Sequence, residues 1–552
     1  MKTPHQRFWL LLKPDSKEIN QVYTYSFFKG IITLSLPIGI QSIINLIQGG
    51  RISTSWLLLI AIVIIGIALG GYMQLMQMRI TENIQQNIFT RAAFDFTYRI
   101  PRIKLEALYN HYAPELMNRF FDILSIQKSL AKIIIDFSSA ILQILFGLIL
   151  LSLYHPFFII FSLLLIILVY TIIRLTYNKG LTSSLNESKY KYKVASWLEE
   201  LARSKDSFKL AGKTNLPASK TDEHVTGYIK YREEHFGILR KQYILLLGFK
   251  ILVALGLLLV GGLLVLNQQM NIGQFVAAEI IILLIIESSE KIILNLENVF
   301  DILTSLEKIG QITDFELDDD KDTSSLNHAI DSPLTVEINE LSYTYPGRAT
   351  PVINSLSYSF KSNFNYCITG ENQSGKSTLL HIIAGLYTPQ KGSVCINNYP
   401  IANYNIQKLY GLIGNGLSEE SIFEGTLLDN IVLGRENISM ADLEWVIAKL
   451  KLTDFIKLQP KGIDTPIDVS GHKLSESIVQ KILIARSIIN RPKLLLLENQ
   501  TNKIQENERK EIIQFLTEKK NNWTLIAVSN DPEMMSHCDA VIKMEKGKIV
   551  TT

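Results

Sequence analysis

Residues 370–378 read GENQSGKST, and this short run decides how the second half of the chain is interpreted. It fits the pattern GxxxxGK[ST], in which backbone N–H groups surround phosphate oxygens at the start of a helix. The run follows an apolar segment at 366–368 and opens the helical pattern STLLHIIAGL. Because motif and strand–loop–helix context are both present, a plain glycine-rich turn is the weaker interpretation. The sequence therefore predicts a nucleoside triphosphate site, and residues 370–378 are called the phosphate loop below.

The residue types of the phosphate loop predict distinct roles. Lys376 is expected to pair with the β- and γ-phosphates, and Ser377 to bind Mg²⁺. ATP and Mg²⁺ are the expected cofactors. The candidate cofactor-binding residues of the loop are Gly370, Glu371, Asn372, Gln373, Ser374, Gly375, Lys376, Ser377 and Thr378.

The composition of the chain excludes several classes of protein. Its 552 residues are 47% hydrophobic and 19% charged, too apolar for a purely soluble protein and too charged for a purely membrane-embedded one. The net charge of +3 and the lack of a basic patch argue against a nucleic-acid partner. The three cysteines are widely spaced and predict neither a disulfide framework nor a metal site.

Six apolar segments precede residue 300, each near the ~20 residues that a membrane-spanning helix needs, although the last is short. The connectors alternate between short, nearly uncharged loops and long segments rich in Lys and Arg. The positive-inside rule therefore places both termini in the cytoplasm. The long connectors are predicted as helical extensions beyond the membrane. The six segments are residues 30–47, 56–73, 137–153, 157–173, 243–266 and 275–286.

Four charged residues lie in or near these segments. Such charges are candidates for a polar transport cavity, while snorkelling to the interface and buried structural pairs remain alternatives. Glu279 is the deepest and the strongest cavity candidate. The others are Asp136, Lys250 and Glu287.

The predicted domain organisation follows from these patterns. Residues 1–26 form a cytoplasmic segment and 27–310 the membrane domain. An acidic, Ser-rich linker covers 311–333. An α/β nucleotide-binding domain covers 334–552, and it opens with the alternating strand pattern TVEINELSYTY.

Several further motifs resemble those of ABC exporter half-transporters. LSYTYPG resembles the family's opening strand, and its Tyr345 matches the aromatic residue that stacks on adenine. GLYTPQKGSVCINN, FEGTLLDNI and the run from KGIDTPI through LSESIVQKILIARSIINRPKLLLLENQT resemble later segments of the same domain. NIGQFVAAE is similar to the last membrane helix of type I secretion and bacteriocin exporters. No long segment precedes the first apolar segment, so we expect no N-terminal peptidase domain.

The resemblance also implies a fold, an oligomeric state, a cellular location and a class of cargo. The fold would be an N-terminal all-α membrane domain of six transmembrane helices followed by a C-terminal α/β P-loop nucleotide-binding domain. The chain would work as a homodimer, or as a heterodimer with a second half-transporter, in the bacterial inner membrane and in contact with lipid. Peptide or protein export is favoured, and a periplasmic adaptor and an outer-membrane channel are further candidate partners. A lipid or drug exporter, and an ATP-binding regulatory membrane protein without transport, are the alternatives.

The sequence departs from the family pattern where ATP hydrolysis takes place. The signature LSGGQ reads LSESI, which keeps Ser475 but introduces Glu476, a carboxylate expected near the partner's phosphates. Glu498 stands where the magnesium-binding Asp belongs, and Asn499 where the catalytic Glu belongs. Asn530 takes the place of the switch histidine.

Two further loops also depart from the pattern. Asn415 is the closest match to the Gln-loop glutamine and is a third candidate metal ligand, while Gln505 replaces the acid of the D-loop. The sequence therefore predicts an ABC-type ATPase with a degenerate catalytic site. It would bind ATP and hydrolyse it slowly, because an amide at 499 cannot act as a general base.

Overall fold

The structure is a computed structural model that describes residues 2–49, 54–318, 332–417, 421–468 and 474–550. It divides into two compact units. The first holds the residues up to Pro101 together with Tyr112–Phe315. The second holds Arg102–His111 and the residues from Glu316 onward. Most of the expected linker, residues 319–331, lies outside the described part.

The first unit is entirely helical. Among the described residues, six helical stretches are long and apolar enough to cross a membrane: Pro4–Gln48, Thr54–Arg102, Ala113–Tyr154, Phe157–Arg203, Leu216–Leu266 and Ile272–Thr313. A helix of about 45 residues measures about 68 Å, more than twice the ~30 Å of a hydrocarbon core. The prediction of six apolar helices is confirmed, and the long charged connectors continue them as helix. The α-helices are α1 (Pro4–Leu12), α2 (Ser16–Thr33), α3 (Ser35–Gln48), α4 (Thr54–Arg99), α5 (Ala113–Met117), α6 (Asp122–Tyr154), α7 (Phe157–Arg203), α8 (Lys205–Leu210), α9 (Leu216–Gly256), α10 (Gly262–Leu266), α11 (Ile272–Leu294) and α12 (Leu296–Thr313).

Three apolar segments differ in detail from the sequence pattern. The first is interrupted at Leu34 between α2 and α3, just before Pro37, whose ring and missing N–H disfavour a continuous helix. The fifth contains a π-helical turn at Leu257–Gly261 between α9 and α10. The sixth starts earlier than its apolar residues suggest. Asn271 and Gln274 cap α11 reciprocally, with N···O distances of 2.7 and 2.9 Å.

The charged residues of the membrane segments have defined surroundings within the first unit. The ammonium of Lys250 lies 2.7 Å from the carboxylate of Glu290. Glu287 pairs with Lys291 at 2.7 Å on the same helix, and Asp136 accepts a hydrogen bond of 3.1 Å from the amide of Asn295. These contacts favour structural pairing for the three. Glu279 is half-buried on α11 and remains the cavity candidate.

The second unit is an α/β structure with three sheets. The six-stranded sheet has the order β12-β11-β3-β10-β9-β6, the four-stranded sheet β2-β1-β4-β5, and β7 pairs with β8. The strands are β1 (Val336–Tyr343), β2 (Ile353–Phe360), β3 (Asn365–Thr369), β4 (Lys391–Ile396), β5 (Tyr399–Pro400), β6 (Ile413–Gly416), β7 (Gly425–Thr426), β8 (Pro466–Ile467), β9 (Leu494–Glu498), β10 (Thr524–Val528), β11 (Ala540–Glu545) and β12 (Lys548–Val550). The helices are α13 (Lys376–Ile383), α14 (Ile406–Leu412), α15 (Leu427–Val432), α16 (Met440–Lys449), α17 (Thr453–Lys457), α18 (Glu476–Ile488), α19 (Glu506–Leu516) and α20 (Pro532–His537).

The middle of the six-stranded sheet positions the candidate site. Strands β3, β10, β9 and β6 run parallel to one another, and every residue of β9 and β10 is buried. Burial on both faces explains why LLLLE and TLIAV are nearly continuous apolar runs. The carboxyl ends of parallel strands meet at one edge, where ligands of open α/β sheets bind.

The close approach of α7 to α12 gives a test of the helical unit. A Cβ added to Gly180 on α7 would lie 2.4 Å from two ring atoms of Phe300. We expect Gly180→Ala to lower the free energy of unfolding by about 1–3 kcal/mol, because the buried ring has to shift. The measurement is thermal or denaturant unfolding of the purified chain in nanodiscs.

Gly237→Ala is the matched control, because a Cβ at this position of α9 meets nothing within 4 Å. It should leave stability unchanged or raise it by up to about 1 kcal/mol through helix propensity. Equal effects of the two substitutions would contradict the packing described here.

Candidate functional site

The phosphate loop connects β3 to α13 through two glycines in the left-handed region. Gly370 has φ +144°, and a Cβ there would lie 2.2 Å from the carbonyl oxygen of Met544. Gly375 has φ +99° and occupies the N-cap position of α13. Side chains at these two positions would strain the loop or collide with the neighbouring backbone. The phosphate loop therefore has the strand–loop–helix geometry that its sequence motif predicts.

Lys376 folds back across the loop that precedes it. Its ammonium donates to the carbonyl oxygens of Gly370 at 2.9 Å and Glu371 at 2.7 Å. It also donates to the hydroxyl of Ser374 at 3.1 Å. Burial lowers the pKa of the Lys376 ammonium, while the nearby carboxylate of Glu498 acts in the opposite direction. The contacts hold a positive charge against the loop at the start of a helix, where anions are favoured.

The end of β9 lies beside the first turn of α13. The hydroxyl of Ser377 donates a hydrogen bond to the carboxylate of Glu498, and Glu498 is only 6% exposed. This contact brings together two of the three residues predicted to hold Mg²⁺. It also fixes the carboxylate at the carboxyl edge of the central sheet.

Asn415 supplies a third oxygen near the same edge. It lies on β6, in register with Leu496 of β9. Its side-chain oxygen is buried and has no hydrogen-bond partner among the described residues. A hydroxyl, a carboxylate and an unsatisfied amide oxygen are hard ligands of the kind that Mg²⁺ takes, alongside water and phosphate. The donor set therefore fits Mg²⁺.

Asn499 follows Glu498 directly, and its side chain is exposed. Its φ of +53° turns the chain sharply after β9, and its N–H bonds the carbonyl oxygen of Val528 at 3.0 Å. Asn530 is exposed just after the neighbouring strand β10. Glu498 and Val528 are paired in register, so both predicted catalytic positions emerge at the same sheet edge and both carry amides.

Ser475 starts α18, where its hydroxyl accepts a hydrogen bond of 3.4 Å from the N–H of Ile478. The next residue, Glu476, lies 3.1 Å from the ammonium of Lys503. Sequence reasoning noted the negative charge of Glu476 but missed its partner. Lys503 belongs to the loop after β9. Its positive charge, close to Asn499 in the chain, was the only sequence signal that it could pair with Glu476. The preceding residues 469–473 lie outside the described part.

Tyr345 lies beside the helix that follows the phosphate loop. Its hydroxyl is 2.9 Å from that of Thr378, which links the predicted adenine platform to α13. Its ring also stacks on Tyr109, with a centroid distance of 5.0 Å and an interplanar angle of 21°. Nothing in the sequence indicated Tyr109, which is more than 200 residues away from Tyr345 in the chain.

Two further residues, Gln505 and His537, lie at the ends of helices. Gln505 is the N-cap residue of α19 and makes no side-chain capping bond. His537 ends α20 and bonds the carbonyl oxygen of Glu533 in its own helix at 2.9 Å.

The chain is similar to several known proteins. Residues 353–502 match the ABC transporter family. The chain is 28% identical over 296 residues to the uncharacterized ABC transporter ATP-binding protein YknU of Bacillus subtilis (strain 168), covering 53% of this chain and 50% of that protein. It is 24% identical over 309 residues to the probable multidrug resistance ABC transporter ATP-binding/permease protein YheI of the same organism, covering 55% and 51%. The matches thus span about half the length of these relatives.

Two more comparisons extend the result. The ATP-dependent lipid A-core flippase of Xylella fastidiosa (strain Temecula1 / ATCC 700964) is 24% identical over 217 residues, covering 39% of this chain and 37% of that protein. A bacterial Atm1-family ABC exporter, solved with ATP bound, superposes with a TM-score of 0.86 at 16% identity, covering 97% of this chain and 94% of that chain. The second likeness shows the fold.

The exporter relatives and the six apolar helices indicate an integral membrane protein. Residues 353–502 thus match the ABC transporter family, and the chain, with its apolar helices followed by the α/β unit, has the fold of an ABC exporter.

Proposed function

We propose that this chain is one subunit of a dimeric, ATP-dependent exporter that binds ATP firmly and hydrolyses it slowly. The observation that carries the proposal is at the end of β9. A carboxylate bonded to the phosphate loop, Glu498, is followed by an exposed amide, Asn499. The carboxylate of Glu498 supports binding of a metal–nucleotide complex. The amide of Asn499 stands where hydrolysis needs a general base.

The binding half of the proposal rests on the chain's own groups. Lys376 holds positive charge against the loop, and the backbone N–H groups at the start of α13 favour an anion. Ser377, Glu498 and Asn415 are the residues that would hold Mg²⁺. When bound, Mg²⁺ neutralises phosphate charge and fixes the orientation of the phosphate chain.

The catalytic half of the proposal rests on what an amide cannot do. Hydrolysis requires a group that orients the attacking water and accepts its proton. The amide oxygen of Asn499 can orient water through a hydrogen bond, but its basicity is too low to take the proton. Losing a general base typically costs 10²–10⁴-fold, which leaves on the order of 10⁻³–10⁻¹ s⁻¹ from a median turnover of ~10 s⁻¹. Asn530, in the switch position, can donate a hydrogen bond but cannot titrate.

The proposed dimer would involve the signature segment at the start of α18. In the family, the signature segment of one subunit faces the nucleotide of the other, so Glu476 would bring negative charge towards the partner's phosphates. The ammonium of Lys503, 3.1 Å from Glu476, offsets this charge within the same chain. We propose that the pair keeps the signature segment compatible with an anionic ligand despite the substitution.

For the cargo, we propose a peptide or protein, because NIGQFVAAE in α11 is similar to the last membrane helix of secretion exporters. A lipid or drug is the second candidate, favoured by the names of two relatives, a probable multidrug transporter and a lipid A-core flippase. Proteoliposomes that contain the purified chain, loaded with fluorescent peptides or with fluorescent lipids, separate the two. ATP-dependent conformational change without flux of either cargo would instead support the regulatory alternative.

The role of Lys376 gives the first test. We expect Lys376→Ala to weaken ATP binding at least tenfold, because it removes the charge held at the loop. Fluorescent ATP titration of the chain in nanodiscs measures the effect. Lys457→Ala, which removes an exposed lysine of α17, should bind ATP like the native chain. Unchanged binding by Lys376→Ala would contradict the proposed site.

The role of Asn499 gives the second test. We expect Asn499→Glu to raise the ATPase rate by about 10²–10⁴-fold, because it restores a proton acceptor at the sheet edge. Steady-state phosphate release in nanodiscs provides the measurement. Asn437→Glu makes the same charge change at an exposed position between α15 and α16 and should leave the rate unchanged. Similar rates for Asn499→Glu and the native chain would show that the amide does not limit hydrolysis.

The charge pair beside the signature gives the third test. We expect Lys503→Ala to weaken ATP-dependent dimerisation of the domains several-fold at low salt, because Glu476 then faces phosphate without its partner. The double variant Glu476→Ala/Lys503→Ala should recover most of the loss. Lys510→Ala, which removes a comparable exposed pair with Glu506 on α19, is the control. A loss that persists in the double variant would exclude the charge explanation.

A further inference from the structure

The ring of Tyr345 is enclosed by three other tyrosines of the second unit. Tyr343 and Tyr387 contact it perpendicularly, at interplanar angles of 84° and 85°. Tyr109 alone of these three lies parallel to it, at 5.0 Å and 21°. A parallel ring is the contact that a purine base would also make with Tyr345. Tyr109 therefore occupies the kind of contact that the proposed function assigns to adenine.

The distance between the two rings leaves no room for a base between them. Atoms of stacked rings lie about 3.5 Å apart at closest favourable contact. A base between two tyrosines therefore needs a centroid separation of roughly 7 Å. The observed 5.0 Å is well below that. Base and Tyr109 cannot both stack on this face in the observed arrangement.

The ring of Tyr109 can rotate away from Tyr345 without breaking the hydrogen bonds that hold its segment. Its side chain is 41% exposed. The segment is fixed by other contacts: the carboxylate of Glu106 accepts a 2.7 Å hydrogen bond from the N–H of Thr388. The N–H of Lys104 donates to the carbonyl oxygen of Glu316 at 3.0 Å. Rotation of the Tyr109 ring into solvent therefore breaks the stack on Tyr345 and leaves these two hydrogen bonds in place.

We propose that Tyr109 competes with the nucleotide base for the ring face of Tyr345 and is released when ATP binds. The inference rests on the proposed function, since it takes Tyr345 as the platform for the base. It adds a base-site residue from the short segment between α4 and α5. Tyr109 acts as a positioning residue that sets the affinity for the base and leaves the phosphate site unaffected.

The experiment compares ATP with inorganic triphosphate, which has the phosphates but no base. Binding of both is measured on the full chain in nanodiscs, for the native protein and for Tyr109→Ala, Tyr109→Leu and Tyr109→Phe. We expect Tyr109→Ala and Tyr109→Leu to bind ATP about two- to tenfold more tightly, the factor that corresponds to one lost aromatic stack. Triphosphate binding should not change. Tyr109→Phe keeps the ring and should bind ATP like the native chain.

The controls separate this inference from the proposed function. Tyr112→Ala removes an equally exposed tyrosine three residues later, 47% against 41%, and should bind both ligands like the native chain. Weaker ATP binding by Tyr109→Ala, with triphosphate unchanged, would show that Tyr109 supports the base and would overturn the competition. Equal changes for ATP and triphosphate would also overturn it, because the effect would not involve the base. Absence of binding of either ligand to the native chain would instead refute the proposed function itself.

Discussion

The hydrogen bond from Ser377 to the carboxylate of Glu498 is the contact on which the account of the site depends. It joins the first turn of α13 to the end of β9, a strand buried along its whole length. The carboxylate is therefore held by a rigid element and not by a mobile loop. Because this contact holds Glu498 at the carboxyl edge of the sheet, the next residue in the chain, Asn499, also lies at that edge.

In the proposed site, different groups are responsible for binding ATP and for hydrolysing it. Affinity comes from Lys376, the helix start and hard oxygen ligands, all of which are present in the proposed site. In the proposed dimer, turnover would additionally need a proton acceptor and a complete signature from the second subunit. Asn499 lacks the first property, and Glu476 alters the second, with Lys503 as its electrostatic partner.

Local patterns in the sequence predicted much of this structure. The apolar segments, the phosphate loop and the buried strand LLLLE depend on residues that are neighbours in the chain, and all are found in the structure. The pairing of Lys250 with Glu290, the ion pair of Lys503 and the stack of Tyr109 on Tyr345 join residues between 27 and 236 positions apart. No periodicity or motif encodes such contacts. The π-helical turn at Leu257–Gly261 was also missed, because its hydropathy equals that of an ordinary helix.

Slow hydrolysis at an intact nucleotide site is tested by the ATP turnover of the native chain, measured in nanodiscs on the same preparation used for ATP binding. We expect saturable ATP binding together with a turnover below ~0.1 s⁻¹, a rate that Lys376→Ala removes. Turnover above ~1 s⁻¹ that still depends on Lys376 would contradict the account, because it would mean that this sheet edge hydrolyses ATP without a carboxylate at position 499.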